Sequence, residues 1–166
     1  MKSIILILLY GFAVTIPVKR ISPNHVEKNN MIVNWEHHGE NISFTLEAPT
    51  TGWITIGFNE TDKINGSYLI MTRMNNGKAE VEEFKTLAPG NYKLIASLGE
   101  KSMILTSEGL EKDGKTNISF KVKVTSDNGL QKDLSQGGEY CMHMAYSREK
   151  DFQHHSMMRT SERITL

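Results

Sequence analysis

Apolar and polar residues alternate along most of the chain. Ile42, Phe44 and Leu46 interleave with Ser43, Thr45 and Glu47, and Ile54, Ile56 and Phe58 repeat the pattern. Ile118, Phe120, Val122 and Val124 do so again against Ser119, Lys121 and Lys123. A period of two puts successive side chains on opposite faces, so each segment predicts a strand with one buried face. Shorter strands are expected at Met31–Trp35, Tyr68–Arg73, Val81–Lys85, Tyr92–Ala96, Met103–Ser107, Tyr140–Tyr146 and Ile164–Leu166. Between them lie Asn75-Asn76-Gly77, Pro89-Gly90, Asp113-Gly114, Asn128-Gly129 and Gly137-Gly138. These pairs tolerate the positive φ of tight hairpin turns, Asn76-Gly77 best of all. About ten short strands with turns at close spacing, and no helical period, predict an all-β antiparallel sandwich. Glu82 and Glu83 adjoin on one strand, point to opposite faces, and read as a solvated edge.

The N-terminus follows another pattern. Lys2 precedes an unbroken apolar run from Ile4 to Val14, and polar residues resume soon after. A membrane-spanning helix needs about 20 apolar residues, and this run is far shorter. Its length and flank suit the core of a secretory signal peptide, so residues 1–20 are read as a cleavable leader and residues 21–166 as one domain. No later segment is apolar enough to span a membrane. The expected destination is a periplasm, a cell surface or the extracellular space.

Composition narrows the function. Lys plus Arg and Asp plus Glu each number 19, and a balanced charge gives no electrostatic footprint for nucleic acid. Cys141 is the single cysteine, so the chain has no internal disulfide and no zinc-type Cys/His spacing. There is no P-loop, GxGxxG, GxSxG or HExxH motif, and no catalytic activity is expected. Four Asn-x-Ser/Thr sequons occur, at Asn41, Asn59, Asn65 and Asn117.

The C-terminal segment carries the candidate chemistry. Cys141-Met142-His143-Met144-Ala145-Tyr146 is followed by Asp151-Phe152-Gln153-His154-His155-Ser156-Met157-Met158-Arg159. Imidazole nitrogen and thioether sulfur are the side-chain ligands of haem iron and of copper. Met is equally a flexible core filler, and exposed histidines are common in loops.

The stretch from Ile42 to Asn59, ending in Gly52-Trp53-Ile54-Thr55-Ile56-Gly57-Phe58-Asn59, closely resembles the signature of the DOMON family. Asn65-Gly66-Ser67-Tyr68-Leu69-Ile70 resembles the segment that opens the family's next hairpin. Ala145-Tyr146, then Phe152-Gln153-His154-His155 and Arg159, resembles its closing segment. The resemblance covers about Met31 to Leu166. It implies an immunoglobulin-like β-sandwich that binds haem b or a sugar. In the cytochrome members a methionine before the Gly-Ser/Ala segment and a histidine near the C-terminus hold the haem. Carried over, the histidine falls on His155, beside His154, but the methionine position is Ile64, which cannot ligate iron. Met71 and His143 are the replacements nearest to hand, with Met71 equally readable as a core side chain.

Three binding readings follow. One is haem b held by His155 and Met71 or His143, for electron transfer or redox sensing with a separate redox partner. A second is a carbohydrate or small apolar ligand, with Trp35, Trp53, Tyr68 and Tyr146 as rings for stacking. The third is copper held by the His/Met segment, weakened because alternation sends Met142 and Met144 to the face opposite His143.

Overall fold

A computed structural model describes residues 24–166. The expected leader lies outside the described residues, whose regular structure is almost all strand. In chain order they are β1 (Asn24–Lys28), β2 (Met31–His38), β3 (Asn41–Ala48), β4 (Ile54–Asn59), β5 (Tyr68–Asn75) and β6 (Lys78–Ala88). Then follow β7 (Asn91–Leu94), β8 (Ile104–Lys112), β9 (Lys115–Lys123), β10 (Glu139–Tyr146) and β11 (Met158–Thr165), with one short 3-10 turn at Ile95–Leu98. Among the described residues no helix is long and apolar enough to cross a membrane.

Two antiparallel sheets face each other. One has five strands in the order β1-β2-β3-β9-β8, the other six in the order β11-β10-β4-β5-β6-β7. The expected sandwich is therefore found, with eleven strands in place of about ten. The alternation places Ile42, Phe44 and Leu46 of β3 and Ile118, Phe120 and Val122 of β9 inward, all buried. Phe44 meets Phe58 of the other sheet with ring centroids 5.7 Å apart, and within its own sheet it stacks on Phe120 at 5.5 Å. Burying each such ring contributes roughly 1.5–3 kcal/mol, so the inter-sheet core holds the two layers together. Asn76 and Gly77 both have positive φ, 49° and 76°, as the hairpin between β5 and β6 requires. Asp113-Gly114 turns β8 into β9 in the same way, with φ of 53° and 75°.

Two sequence readings change. β1 pairs with β2 along its length although Val26 is its one apolar residue, because an edge strand needs only backbone partners on one side. Glu83 is not on a solvated edge: β6 is flanked by β5 and β7, and Glu83 is buried on the inner face opposite Ile70.

Candidate functional site

The middle of the six-stranded sheet is buried on both faces. β4 has all six residues buried, and β5 is buried from Tyr68 to Thr72. Its inner side belongs to the inter-sheet core. Its outer side carries a second apolar cluster of Trp53, Leu69, Met71, Phe84 and Phe152, with Ile64, Tyr92, Leu94 and Ala145 packed at its margin. Ladder register sets this face out in rows. Ser161, His143, Gly57, Leu69, Phe84 and Leu94 form one row across β11, β10, β4, β5, β6 and β7. Ala145, Thr55 and Met71 lie one step along.

Gly57 has a packing reason. A Cβ there would stand 2.4 Å from Leu69 Cδ2 and 3.6 Å from the Cβ of His143. Leu69 therefore lies over the space that the missing side chain leaves, and the row has no groove at its centre. The same bareness at Gly52 admits the β10–β11 loop, where a Cβ would meet the Ser147 carbonyl at 2.3 Å.

Two loops reach over the face from opposite ends. The β4–β5 loop is tied down by Asn59, whose amide donates to the carbonyls of Lys63 (2.6 Å) and Asn65 (3.0 Å). It brings Ile64 onto the cluster. The β10–β11 loop brings Phe152, whose ring meets Phe84 edge-on at 5.9 Å, with the Arg73 guanidinium 4.3 Å from its centroid. That loop is held at several points: Arg73 Nη1 donates to the Lys150 carbonyl (2.9 Å), the Trp53 N–H to Glu149 (2.9 Å), and the Tyr92 hydroxyl to the Phe152 carbonyl.

The candidate ligands are spread across this arrangement. His143 is half-buried on the outer face, and its Nε2 is buried without a hydrogen-bond partner. Burial lowers its pKa from 6.5, against a smaller opposing pull from the Lys63 carbonyl and Asp62, so the ring is neutral near pH 7. Met71 is buried in the apolar cluster, as its alternative reading as a core side chain has it. It shares the outer face with His143, but β4 stands between them and they lie in different rows. His154 and His155 are both exposed, with ring centroids 6.5 Å apart, on an open cleft of about 340 Å³ with Ser147, Arg148, Glu149 and Met157. The structure thus brings Met71 and His143 to one face and leaves His155 on the outside of the loop whose inner residue is Phe152. Met142 and Met144 are buried in the inner core, opposite His143. Trp35, Trp53, Tyr68 and Tyr146 are also buried, so none of these rings is free to stack on a ligand at the surface.

A larger cleft, about 540 Å³, adjoins His143 at the β4–β5 loop end. It is lined by Thr61, Asp62, Cys141, Ser161, Glu162 and Arg163. Glu162 is already paired with Lys28 at 2.5 Å, which leaves Asp62, Arg163 and the two hydroxyls as its polar groups. Apart from Cys141 of β10, none of these residues stood out in the sequence, because they come from a loop and an edge strand that only the fold juxtaposes. Leu69 had a signal: the run Tyr68–Met71 is apolar at consecutive positions, as a strand buried on both faces requires.

The sequence model of the DOMON domain matches residues 27–147, most of the chain. The chain belongs to the DOMON family. Solved structures agree on the fold. The cytochrome b domain of pyranose dehydrogenase from Coprinopsis cinerea superposes with a TM-score of 0.60 at 8% identity, covering 87% of this chain and 88% of that one. The cytochrome domain of cellobiose dehydrogenase from Myriococcum thermophilum does so with a TM-score of 0.59 at 9% identity, covering 86% and 80%. At such identities the likeness concerns the DOMON fold alone. Among curated proteins none matches the sequence.

Proposed function

We propose that this DOMON domain is an exported, non-catalytic binding module whose ligand is a small polar molecule of the carbohydrate class. The observation that carries this is the cleft of about 540 Å³ beside His143, where Asp62, Arg163, Thr61 and Ser161 converge. A carboxylate, a guanidinium and two hydroxyls offer the acceptors and donors that sugar hydroxyls need, and Cys141 forms its apolar floor. The unpartnered Nε2 of His143 lies at the margin of the same region. Calorimetric titration of the protein with a panel of neutral sugars tests the proposal. Binding that Arg163→Ala and Asp62→Asn each weaken at least tenfold supports it. Binding unchanged in both variants, or no binding across the panel, refutes it.

A second reading, haem b for electron transfer or redox sensing through a separate partner, draws on the likeness to two cytochrome b domains. His143, a neutral imidazole with a free buried nitrogen, is the residue best prepared to ligate iron. The pair implied by the family does not fit. Ile64 has no donor atom, His155 is exposed, and buried side chains fill the face between them. A visible absorption spectrum of the purified protein, oxidised and then reduced, separates the two readings.

A further inference from the structure

The outer face of the six-stranded sheet is closed by the chain's own side chains. Leu69 occupies the space above Gly57, Ile64 packs on the cluster from the β4–β5 loop, and Phe152 packs on it from the β10–β11 loop. We propose that Phe152 and Ile64 close this face against a tetrapyrrole, so that the chain is a haem-free member of a family that includes cytochromes. This holds whether or not the neighbouring cleft takes a sugar.

Three observations converge on it. First, Phe152 is not a loose loop residue. Its ring sits between Phe84 and the Arg73 guanidinium, and it is only 5% exposed. Second, the loop that carries it is fixed by backbone bonds at both feet: Ser147 N–H to the Trp53 carbonyl and Met157 N–H to the Tyr146 carbonyl, each 2.9 Å. Inside the loop, Ser147 Oγ donates to the His155 carbonyl at 2.9 Å, and the Gln153 N–H donates to the Asp151 carboxylate at 3.0 Å. With Phe152 turned inward, these bonds leave the rings of His154 and His155 in solvent. Third, the opposite loop supplies isoleucine, whose side chain packs on the same cluster and offers iron no ligand. A planar macrocycle would have to displace Phe152 and Ile64 and free the loop before His155 could turn inward. That is a loss of packing, and the two candidate donors already on the face, His143 and the buried Met71, lie in different rows with β4 between them.

The test is haemin titration of the full chain, then gel filtration and a wash with serum albumin to strip loosely held haem. The parent is expected to retain none and to show no low-spin bands on reduction. A parent that keeps about one haem per chain through the wash, with low-spin reduced bands, overturns the inference. The double variant Ile64→Met/Phe152→Ala, checked for a cooperative melt, is expected to gain low-spin haem and to lose it again when His155→Ala is added. A folded double variant that takes no haem overturns the assignment of the closure to these two residues. If the double variant does not fold, Phe152→Ala alone takes its place. Haem retained at the parent's level in that variant overturns the plugging role of Phe152, and a gain of at least tenfold upholds it. Loss of sugar binding leaves every one of these readouts unchanged, so failure of the two proposals can be told apart.

Discussion

The hydroxyl of Tyr68 donates to the carboxylate of Glu83 across 2.5 Å, with both side chains buried in the sandwich. Glu83 also accepts from Gln131 Nε2 and the Met103 N–H, each at 2.8 Å, and from the Ser102 hydroxyl. A buried carboxylate is tolerable only when its oxygens are hydrogen-bonded, and here four donors converge on it. The group thereby pins the segments around Ser102 and Gln131 to β6. Tyr68→Phe removes one donor and is expected to cost about 1.5–3 kcal/mol, the range for a hydrogen bond to a charged group. Glu83→Ala takes the acceptor from all four donors, of which Gln131 Nε2 alone keeps another partner, the Lys101 carbonyl, and is expected to cost more. Urea melts of both variants check this, and a Tyr68→Phe midpoint equal to the parent's would refute it.

Two titrations set the pH limits of stability. Burial first, and Glu83 second, push the Tyr68 pKa well above 10.0. The folded state then keeps a proton that the unfolded chain loses, so stability is intact below about pH 10 and falls as pH rises above it. His143 shifts the other way, lowered from 6.5 chiefly by desolvation. The unfolded chain binds the proton more readily, so stability is full above pH 6.5 and falls as pH drops through the folded pKa. Thermal melts should show a shallower acid slope in His143→Gln than in the parent. Identical slopes would show that His143 titrates normally.

The inter-sheet core was legible from alternation, because β3 and β9 each bury one face and expose the other. The hairpin at Asn76-Gly77 was legible because few residue pairs accept two positive φ values in succession. The outer cluster was much less so. A strand buried on both faces loses its period, and Phe152 sits in a polar loop where nothing local marks it for burial. Its partners Phe84 and Arg73 lie far away in sequence and are joined to it only by the fold. Glu83 was misread for the same reason: its burial depends on donors from two distant segments. His143, by contrast, was placed correctly by counting from Met142 and Met144.

Two glycines test the packing around the site. Gly52→Ala would drive a Cβ to 2.3 Å from the Ser147 carbonyl and 2.5 Å from Arg148 C, both backbone atoms held in a fixed loop. Gly57→Ala meets Leu69 Cδ2 at 2.4 Å, the end of a side chain that has other rotamers. Overpacking costs about 1–3 kcal/mol, and Gly52→Ala is expected to lie at or above the top of that range and Gly57→Ala within it. Denaturant midpoints give the order directly, and the reverse order would show that the loop yields more easily than Leu69.

Trp53 is buried at the head of β4, and its Nε1 has no hydrogen-bond partner. Trp53→Ala should cost about 3–5 kcal/mol through the cavity it leaves. Trp53→Phe removes the orphan donor while keeping a ring, so its loss should be well under half as large. Equal losses in the two variants would mean that the indole nitrogen has found a partner, such as a buried water.

The β10–β11 loop offers the sharpest contrast, because residues three apart in sequence lie on its two sides. Phe152 faces inward beneath Arg73, and its removal takes away the ring contact with Phe84 and the cation over its face. Phe152→Ala is therefore expected to cost about 3–5 kcal/mol at full cavity retention, and less if the loop collapses. The backbone bonds at Ser147 and Met157 remain, so the damage should stay local, with faster hydrogen exchange across residues 148–156 and little change in β3 or β9. His155 faces outward, makes no side-chain hydrogen bond among the described residues, and should be silent: His155→Ala is expected within about 0.5 kcal/mol of the parent. Were His155 instead to turn inward and Phe152 outward, the ranking would reverse. Hydrogen exchange read by mass spectrometry on the two single variants distinguishes these arrangements, and a destabilised His155→Ala beside a neutral Phe152→Ala would rule out the closed face.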